Sequence, residues 1–325
     1  MVKKLGMCVA TMFVSLLLTF FVIEIMPGDP VDTLAQEYVR TQNLIYEVAY
    51  QKAKNALNYD PTIPVSERFI NYTIGALTGD LGQSMSFKQS VNTIVLGALP
   101  WTLLVCTLSL SLAFTIGVLL GIYIAWKRSK PLDTILTIAQ SIFGAIPDYI
   151  VGYLFIILFA VHLGWFPARG SYSSSVVPAF SVEFILSVLW HCILPVFTVF
   201  ITTVTGWIIS MKAMALSVLG EDYIHYAKAR GISQKRILIT YVGRNSILPM
   251  ITSVAISFGF MFGGSPLIEN LFVYPGIGYY LGQAINRRDY PLMQGMFLMI
   301  IMMVLIAGLV AEFLYAKLNP RLREE

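Results

Sequence analysis

Thr102-Leu-Leu-Val-Cys-Thr-Leu-Ser-Leu-Ser-Leu-Ala-Phe-Thr-Ile-Gly-Val-Leu-Leu-Gly-Ile-Tyr-Ile-Ala-Trp126 runs for 25 residues without a charge. A helix needs about 20 predominantly apolar residues to cross the hydrocarbon layer of a bilayer, and this stretch has them. Five more stretches are long and predominantly apolar: 5–26, 132–162, 184–211, 247–267 and 292–316. A soluble protein with one unusually large core would not repeat that length six times. The bulk composition agrees, with 57% apolar and only 12% charged residues, about half the charge of an ordinary soluble domain. The pattern predicts an all-α polytopic membrane protein with six spanning helices.

Lys3 and Lys4 ahead of an apolar run could introduce a signal peptide. The run is too long for one, no small-x-small cleavage site follows, and Pro27-Gly28-Asp29-Pro30 comes directly after it. It reads as a retained first helix. The three cysteines, Cys8, Cys106 and Cys192, all fall within apolar segments, which argues against a disulfide framework and a thiolate metal site.

Orientation follows from the basic residues. With six spans both termini share one side. That side collects Lys3, Lys4, Lys127, Arg128, Lys130, Lys212, Lys228, Arg230, Lys235, Arg236, Arg244, Lys317, Arg321 and Arg323. The other side, apart from its long first loop, has Arg169, Arg287 and Arg288. Both termini are therefore expected in the cytoplasm. The net charge of +4 expresses this asymmetry and does not point to nucleic acid.

The expected layout is a first helix over 1–26, an extracytoplasmic subdomain over 27–94, and a core of five helices over 95–325. The subdomain carries a helical pattern through Leu34, Leu44, Ile45, Val48, Ala49 and Ala53, breaks at Asp60-Pro61 and Pro64, and resumes near Phe69. It ends in Gly79-Asp80-Leu81-Gly82-Gln83-Ser84, where the glycines are turn chemistry.

Loop 212–249 is the most informative. It reads Glu221-Asp222-Tyr223-Ile-His-Tyr-Ala227-Lys-Ala229-Arg-Gly231, and later Arg244-Asn245-Ser-Ile-Leu-Pro249. Acidic residues open a short helix and basic residues close it, which suits the helix dipole. Gly231 supplies a left-handed stop, Ser233 is placed to cap the next helix, and Pro249 suits a first helical turn. Ala227 and Ala229 keep the short helix thin enough to enter a groove on another protein.

The pattern acidic-Tyr-x-x-x-Ala-x-Ala-x-Gly, followed by Arg-Asn-x-x-x-Pro, resembles the cytoplasmic coupling loop of ABC-importer permeases. More narrowly, it is similar to the first permease subunit of the dipeptide/oligopeptide/nickel class. Other motifs occur in the order that resemblance expects: Pro27-Gly28-Asp29-Pro30, Gly79-Asp80-Leu81-Gly82-x-Ser84, His191-x-Ile193-Leu194-Pro195, Glu269-x-x-Phe272-x-x-Pro275-Gly276-x-Gly278, Arg288-Asp289-Tyr290-Pro291 and Asn319-Pro320-Arg321. The chain departs from the pattern at 57–64, at Lys212 where an arginine is common, and in the aromatic stretch Phe272, Tyr274, Tyr279 and Tyr280.

The resemblance implies a type I ABC-importer fold and a non-catalytic permease subunit in a prokaryotic inner membrane. It implies a second related permease, two ATPase subunits carrying ATP and Mg, and an extracytoplasmic substrate-binding protein. The chain itself has no Gly-Lys pair and hence no Walker A loop. ATPase coupling then falls to Glu221, Asp222, Tyr223, Ala227, Ala229, Gly231, Arg244, Asn245 and Pro249. The outer gate or binding-protein side falls to Glu269, Phe272, Pro275, Gly276, Arg288 and Asp289.

Ionisable groups inside a membrane are expensive. Asp148, after Pro147, reads either as a pathway-lining acid or as a structural acid at a kink. Glu24 is expected to snorkel, Glu312 to pair with nearby basic residues, and His191 to make an interhelical hydrogen bond. Gly263-Gly264-Ser265-Pro266 reads as a gate hinge or a plain helix terminus. Met293, Met296, Met299, Met302 and Met303 read as packing or lipid-facing surface rather than a metal box.

The expected cargo is a di- or oligopeptide, with oligosaccharide, nickel or another small solute as the alternative. An ion-coupled secondary transporter fits less well, because no inverted repeat is apparent. A membrane-embedded enzyme lacks its motifs: there is no His-Glu-x-x-His and no Gly-x-Ser-x-Gly.

Overall fold

The computed structural model describes residues 2–26, 28–57, 63–128, 130–264 and 266–318. Among these residues the chain is helical, and its one β-type pairing is an isolated antiparallel bridge between Gln83 and Ser90. Among the described residues four helices are long and apolar enough to cross a membrane: Val91–Lys127, Val182–Leu219, Gln234–Met261 and Tyr290–Ala311. A bent pair, Lys130–Phe143 and Asp148–His162, offers a fifth crossing. The apolar part of the first helix, Ala10–Glu24, is shorter.

The segment 132–162, expected as a single span, is broken. Helix α6 (Lys130–Phe143) and helix α7 (Asp148–Phe155, continued by π turns to His162) meet at 95°. Pro147 explains the position of the break: it has no amide to donate, and its ring disfavours helical backbone at Ile146. Apolarity continues across the break, so hydropathy does not register it.

The chain divides into two compact units. The first comprises Met1–Thr102, Phe262–Pro266 and Pro275–Leu305. Helix α1 (Val2–Glu24) leads to Asp29, whose side chain accepts the Val31 amide at 2.8 Å and starts α2 (Pro30–Gln42). Asn43, left-handed at φ 52°, ends α2, and α3 (Tyr46–Leu57) turns back against it. The helical pattern over 34–53 is thus a hairpin of two helices, not one. Small residues let them approach: Val31, Ala35, Ala49 and Ala53 are buried between them. Tyr46 donates to Asp32 at 2.6 Å, and the carboxylate beside it holds the phenol protonated, up to about 12. Helix α4 (Val65–Thr78) packs Phe69 edge-on against Phe20, ring centroids 5.2 Å apart. Glu24 forms an ion pair with Arg68 rather than reaching freely for solvent.

The main core of this unit gathers Ile23, residues 91–98 of helix α5 (Val91–Lys127), and apolar residues of α13 (Ile277–Arg287) and α14 (Tyr290–Leu318). Met293 and Met296 are buried in it and Met299 packs against it. Those methionines are packing residues, as the sequence suggested. The side chain of Glu312 lies outside the described residues.

The second unit comprises Leu103–Met261, Leu267–Tyr274 and Ile306–Glu325. Here α5 meets α8 (Val182–Leu219) at very close range. A Cβ built on Gly117 would lie 2.4 Å from Trp207 Cβ, and one on Gly121 would lie 2.7 Å from the Ile208 carbonyl oxygen. Only glycine fits at either position. Ile124, Val204 and Ile208 fill one layer of this contact, and Val118, Met211 and Met250 fill another. Lys212 of α8 forms an ion pair with Asp133 of α6. His191 bonds to the Ser187 carbonyl at 2.7 Å within α8. The expected interhelical bond of His191 is therefore an intrahelical one, because a carbonyl one turn back lies within the ring's reach.

Candidate functional site

Loop 212–249 holds the short helix and glycine stop that the sequence reads, with three corrections, at Ala227, Ser233 and Pro249. Helix α8 ends at Leu219, and α9 (Asp222–Ala229) starts after the extended residue Glu221. Asp222 lies in its first turn and Lys228 in its last. Glu221 makes no side-chain cap bond, so its acidity acts only through the dipole. The exit is a Schellman stop: Ile232 donates to the Ala227 carbonyl at 3.2 Å, and Gly231 to Lys228 at 3.0 Å. Gly231 has φ 72°, and a Cβ there would meet nothing within 4 Å. Glycine is needed for its conformation, not for space.

One face of α9 is buried. Ile224 and Ala227 pack with Ala215, Leu219, Ile237 and Val242. Ala227 is therefore small so that α9 can sit on its own chain, while Ala229 is exposed. Tyr226, 72% exposed, points away from that face, and Tyr223, 38% exposed, flanks it. Asn245 ties α9 to the following helix, donating to the Tyr241 carbonyl at 2.8 Å and to the Tyr223 hydroxyl at 3.3 Å.

The next helix begins at α10 (Gln234–Arg236), passes through a π segment (Ile237–Gly243) and continues as α11 (Arg244–Gly264). Ser233 stands at the cap position but makes no cap bond. Pro249 lies inside α11, not in its first turn, because the helix starts well before it. Arg244 is exposed.

Asp148 is half-buried and its carboxylate accepts the Tyr149 amide at 2.8 Å, at the first turn of α7 behind Pro147. The carboxylate thus sits at the helix end that the break creates. Gly263 and Gly264 close α11, and α12 (Pro266–Leu271) follows. Ser265 lies outside the described residues.

Glu269 and Phe272 are interior residues of the second unit, 2% and 1% exposed. The Phe272 carbonyl accepts the Gly170 amide at 2.8 Å, and Gly152 leaves room for the Leu271 and Phe272 side chains.

In the first unit, motifs far apart in the chain converge. Gly276 precedes α13, whose first amide, Ile277, donates to buried Thr102 at 2.9 Å. A Cβ on Gly278 would lie 2.5 Å from Pro266 Cα. Pro275 is half-buried at this entry. Arg288 ends α13 in left-handed conformation, φ 57°, with its guanidinium against Gly28. Tyr290 donates to the Gly28 carbonyl at 2.9 Å. Asp289 is wholly buried and accepts from Ser84 Oγ at 2.6 Å, the Ser86 amide at 2.8 Å and the Leu292 amide at 3.2 Å. Three motifs, around 28, 84 and 289, therefore form one clamp. Of the aromatic stretch, Tyr280 stacks edge-on against Phe87, centroids 5.4 Å apart. An open cavity of about 850 Å³ in this unit is lined by Glu24, Arg68, Tyr72, Ser84 and Lys88 among others. Burial pushes the Tyr72 phenol there up to about 12.

Sequence reading missed the Ser84–Asp289 bond, the Thr102 cap and the Lys212–Asp133 pair. It also passed over Gly117 and Gly121, although small residues four apart in an apolar helix are a known signal for close helix approach.

A membrane permease of helical build, carrying a short helix on a glycine-stopped loop, is the class that this geometry defines. The chain belongs to the family described as binding-protein-dependent transport system inner membrane component, whose model matches residues 117–324. It is 30% identical to the di/tripeptide transport system permease protein DppB of Pseudomonas aeruginosa, over 99% of this chain and 98% of that one. It is 31% identical to the glutathione transport system permease protein GsiC of Escherichia coli, with the same two coverages. The dipeptide transport system permease DppB of Escherichia coli K12 matches at 29%, again over 99% and 98%. Among solved structures, an inward-facing form of the MetNI methionine ABC transporter aligns with a TM-score of 0.54 at 15% identity, over 70% of this chain and 96% of that one. At that identity the likeness speaks to fold. The chain is thus a multi-pass permease subunit of an ABC importer, a non-catalytic component that works with ATPase and substrate-binding partners.

Proposed function

We propose that this chain forms half of the translocation path of an ATP-driven importer of di- and oligopeptides. Its partners are a second, related permease, two ATPase subunits and an extracytoplasmic binding protein. It lies in the inner membrane of a prokaryote with six spans, counting the bent α6–α7 pair as one, and both termini in the cytoplasm. The region 27–94 faces outward, and α9 is the element on which an ATPase docks. Relatives named for dipeptides, di/tripeptides and glutathione (itself a tripeptide) support the cargo.

The observation that carries the coupling reading is the two-faced character of α9. Its inner face, Ile224 and Ala227, is locked to the chain, while Tyr223 and Tyr226 stand outward on a helix too polar to enter a bilayer. Large aromatics on an exposed helix face are typical anchors of protein interfaces. Motion of a docked ATPase passes through the buried face to α8 and, through Asn245, to α11.

The test is uptake by the complete transporter in proteoliposomes. Tyr226→Ala is expected to lower ATP-driven dipeptide uptake at least tenfold while thermal stability stays within a degree or two, since the side chain buries little. Unchanged uptake in this variant and in Gly231→Pro would sink the docking role. Uptake of a sugar or of nickel, with none of peptides, would overturn the cargo.

A further inference from the structure

At one end of α5, α6 and α8, the second unit has a small cavity of about 170 Å³ whose polar rim is basic. Arg128, Lys130 and Lys212 line it together with a single acid, Asp133. Three cations against one carboxylate leave two positive charges in excess. Asp133 is engaged by Lys212, whereas Arg128 and Lys130 form no ion pair with any described residue. The floor is apolar, made by Ile124, Ala125 and Leu216.

We propose that this cavity holds the phosphate group of an anionic phospholipid. The excess charge suits an anion. The floor suits a ligand that is itself partly apolar. On α8, exposed Ile209 lies three residues before Lys212 and exposed Leu216 four after it, so all three share one helical face. An acyl chain laid along that face runs from the cavity past Ile209 towards the span. Basic pockets between spanning helices on the cytoplasmic side are suited to acidic lipid headgroups. The proposal rests on the cytoplasmic side proposed above for Arg128 and Lys130, and not on the cargo or on ATPase docking. The ion pair of Lys212 with Asp133 positions the ammonium at the cavity wall. Arg128 and Lys130 supply the unneutralised charge.

Native mass spectrometry of the detergent-purified transporter, titrated separately with phosphatidylglycerol and phosphatidylethanolamine, tests this. Wild type is expected to retain phosphatidylglycerol preferentially. The double variant Arg128→Gln/Lys130→Gln, which leaves the Lys212–Asp133 pair intact, is expected to lose about thirtyfold in that affinity, from about 1 kcal/mol per basic group removed. Equal retention of the two lipids by wild type, or unchanged preference in the double variant, would overturn the site. Displacement of the lipid by glycerol phosphate at matched concentration would assign the cavity to a soluble anion and overturn the lipid. Labelling of Arg128→Cys by an impermeant maleimide is expected only in inside-out vesicles. Labelling from the other side would overturn the leaflet, whereas a wild type that prefers phosphatidylglycerol but takes up no peptide would overturn the transport reading alone.

Discussion

The carboxylate of Asp289 has no exposed surface, yet both its oxygens are occupied, one by Ser84 and Ser86, 205 and 203 residues earlier in the chain, and the other by an amide of the next helix. Deleting it strands those donors. A buried donor left without its acceptor costs about 1–3 kcal/mol, so Asp289→Ala should destabilise the protein by about 3 kcal/mol or more. Ser84→Ala should cost less, because Asp289 keeps two amide donors. The double variant should then cost less than the two singles summed, as residues in one hydrogen-bond network do not act independently. Thermal unfolding of the four purified proteins gives the cycle, and strict additivity would mean that the clamp is not a unit. The clamp was half legible. Gly79-Asp80-Leu81-Gly82-x-Ser84 and Arg288-Asp289-Tyr290-Pro291 both stood out as motifs. Nothing in either says that they touch, because the pairing is created by tertiary structure and has no local period. Asp289 was assigned to the outer gate or binding-protein side through the resemblance, and a motif alone cannot distinguish a solvated acid from a buried, fully bonded one.

Among the elements, α5 and α8 show what sequence conveys and what it withholds. Apolar length placed both, since a membrane span is dictated by thickness. It could not say which face of α5 meets α8, because an all-round apolar helix has no amphipathic stripe to read. The glycines carry that information. Gly121→Ala would drive a methyl to 2.7 Å from a backbone oxygen and from Met211 Cβ, so the helices must part. Overpacking of this kind costs about 1–3 kcal/mol. The control is Gly97→Ala on the same helix, where a Cβ meets nothing within 4 Å. Alanine is there the better helix former by up to about 1 kcal/mol. The expected result is a lower melting temperature for Gly121→Ala and an equal or higher one for Gly97→Ala; equal losses in both would mean that close approach is not what Gly121 provides. The break between α6 and α7 shows the complementary failure. Pro147 was visible, but whether a proline kinks or ends a helix depends on what its neighbours can satisfy, which lies outside the sequence window.

For the molecule as a whole, that break decides the topology. Four long apolar helices, and α1 as the span proposed above, make five crossings. If α6 and α7 together add a sixth, loop 163–181 lies on the opposite side from Arg128 and from α9; if the 95° bend instead makes the pair re-entrant, the termini lie on opposite sides and loop 163–181 returns to the side of Arg128. The charge distribution favours the crossing. Loop 163–181 contains one basic residue, Arg169, while Lys127, Arg128 and Lys130 crowd the start of α6, as expected where basic residues are retained in the cytoplasm. Length also agrees, because the pair spans 33 residues less a four-residue turn, enough to cross about 30 Å even with a bend. Three single cysteines separate the cases: Asn43→Cys in the region between α2 and α3, Val177→Cys at a site 77% exposed, and Tyr226→Cys on α9 at a site 72% exposed. In right-side-out vesicles an impermeant maleimide should label the first two and spare the third until the membrane is opened. Labelling of Asn43→Cys and Tyr226→Cys with Val177→Cys spared would make α6 and α7 re-entrant. It would then place α9 after three crossings, on the outer side and out of reach of any ATPase, unless α8 were also misassigned. Because α8 is 38 residues of unbroken apolar helix, that second error is hard to sustain. A spared Val177→Cys together with a protected Tyr226→Cys would therefore contradict the fold itself rather than adjust it.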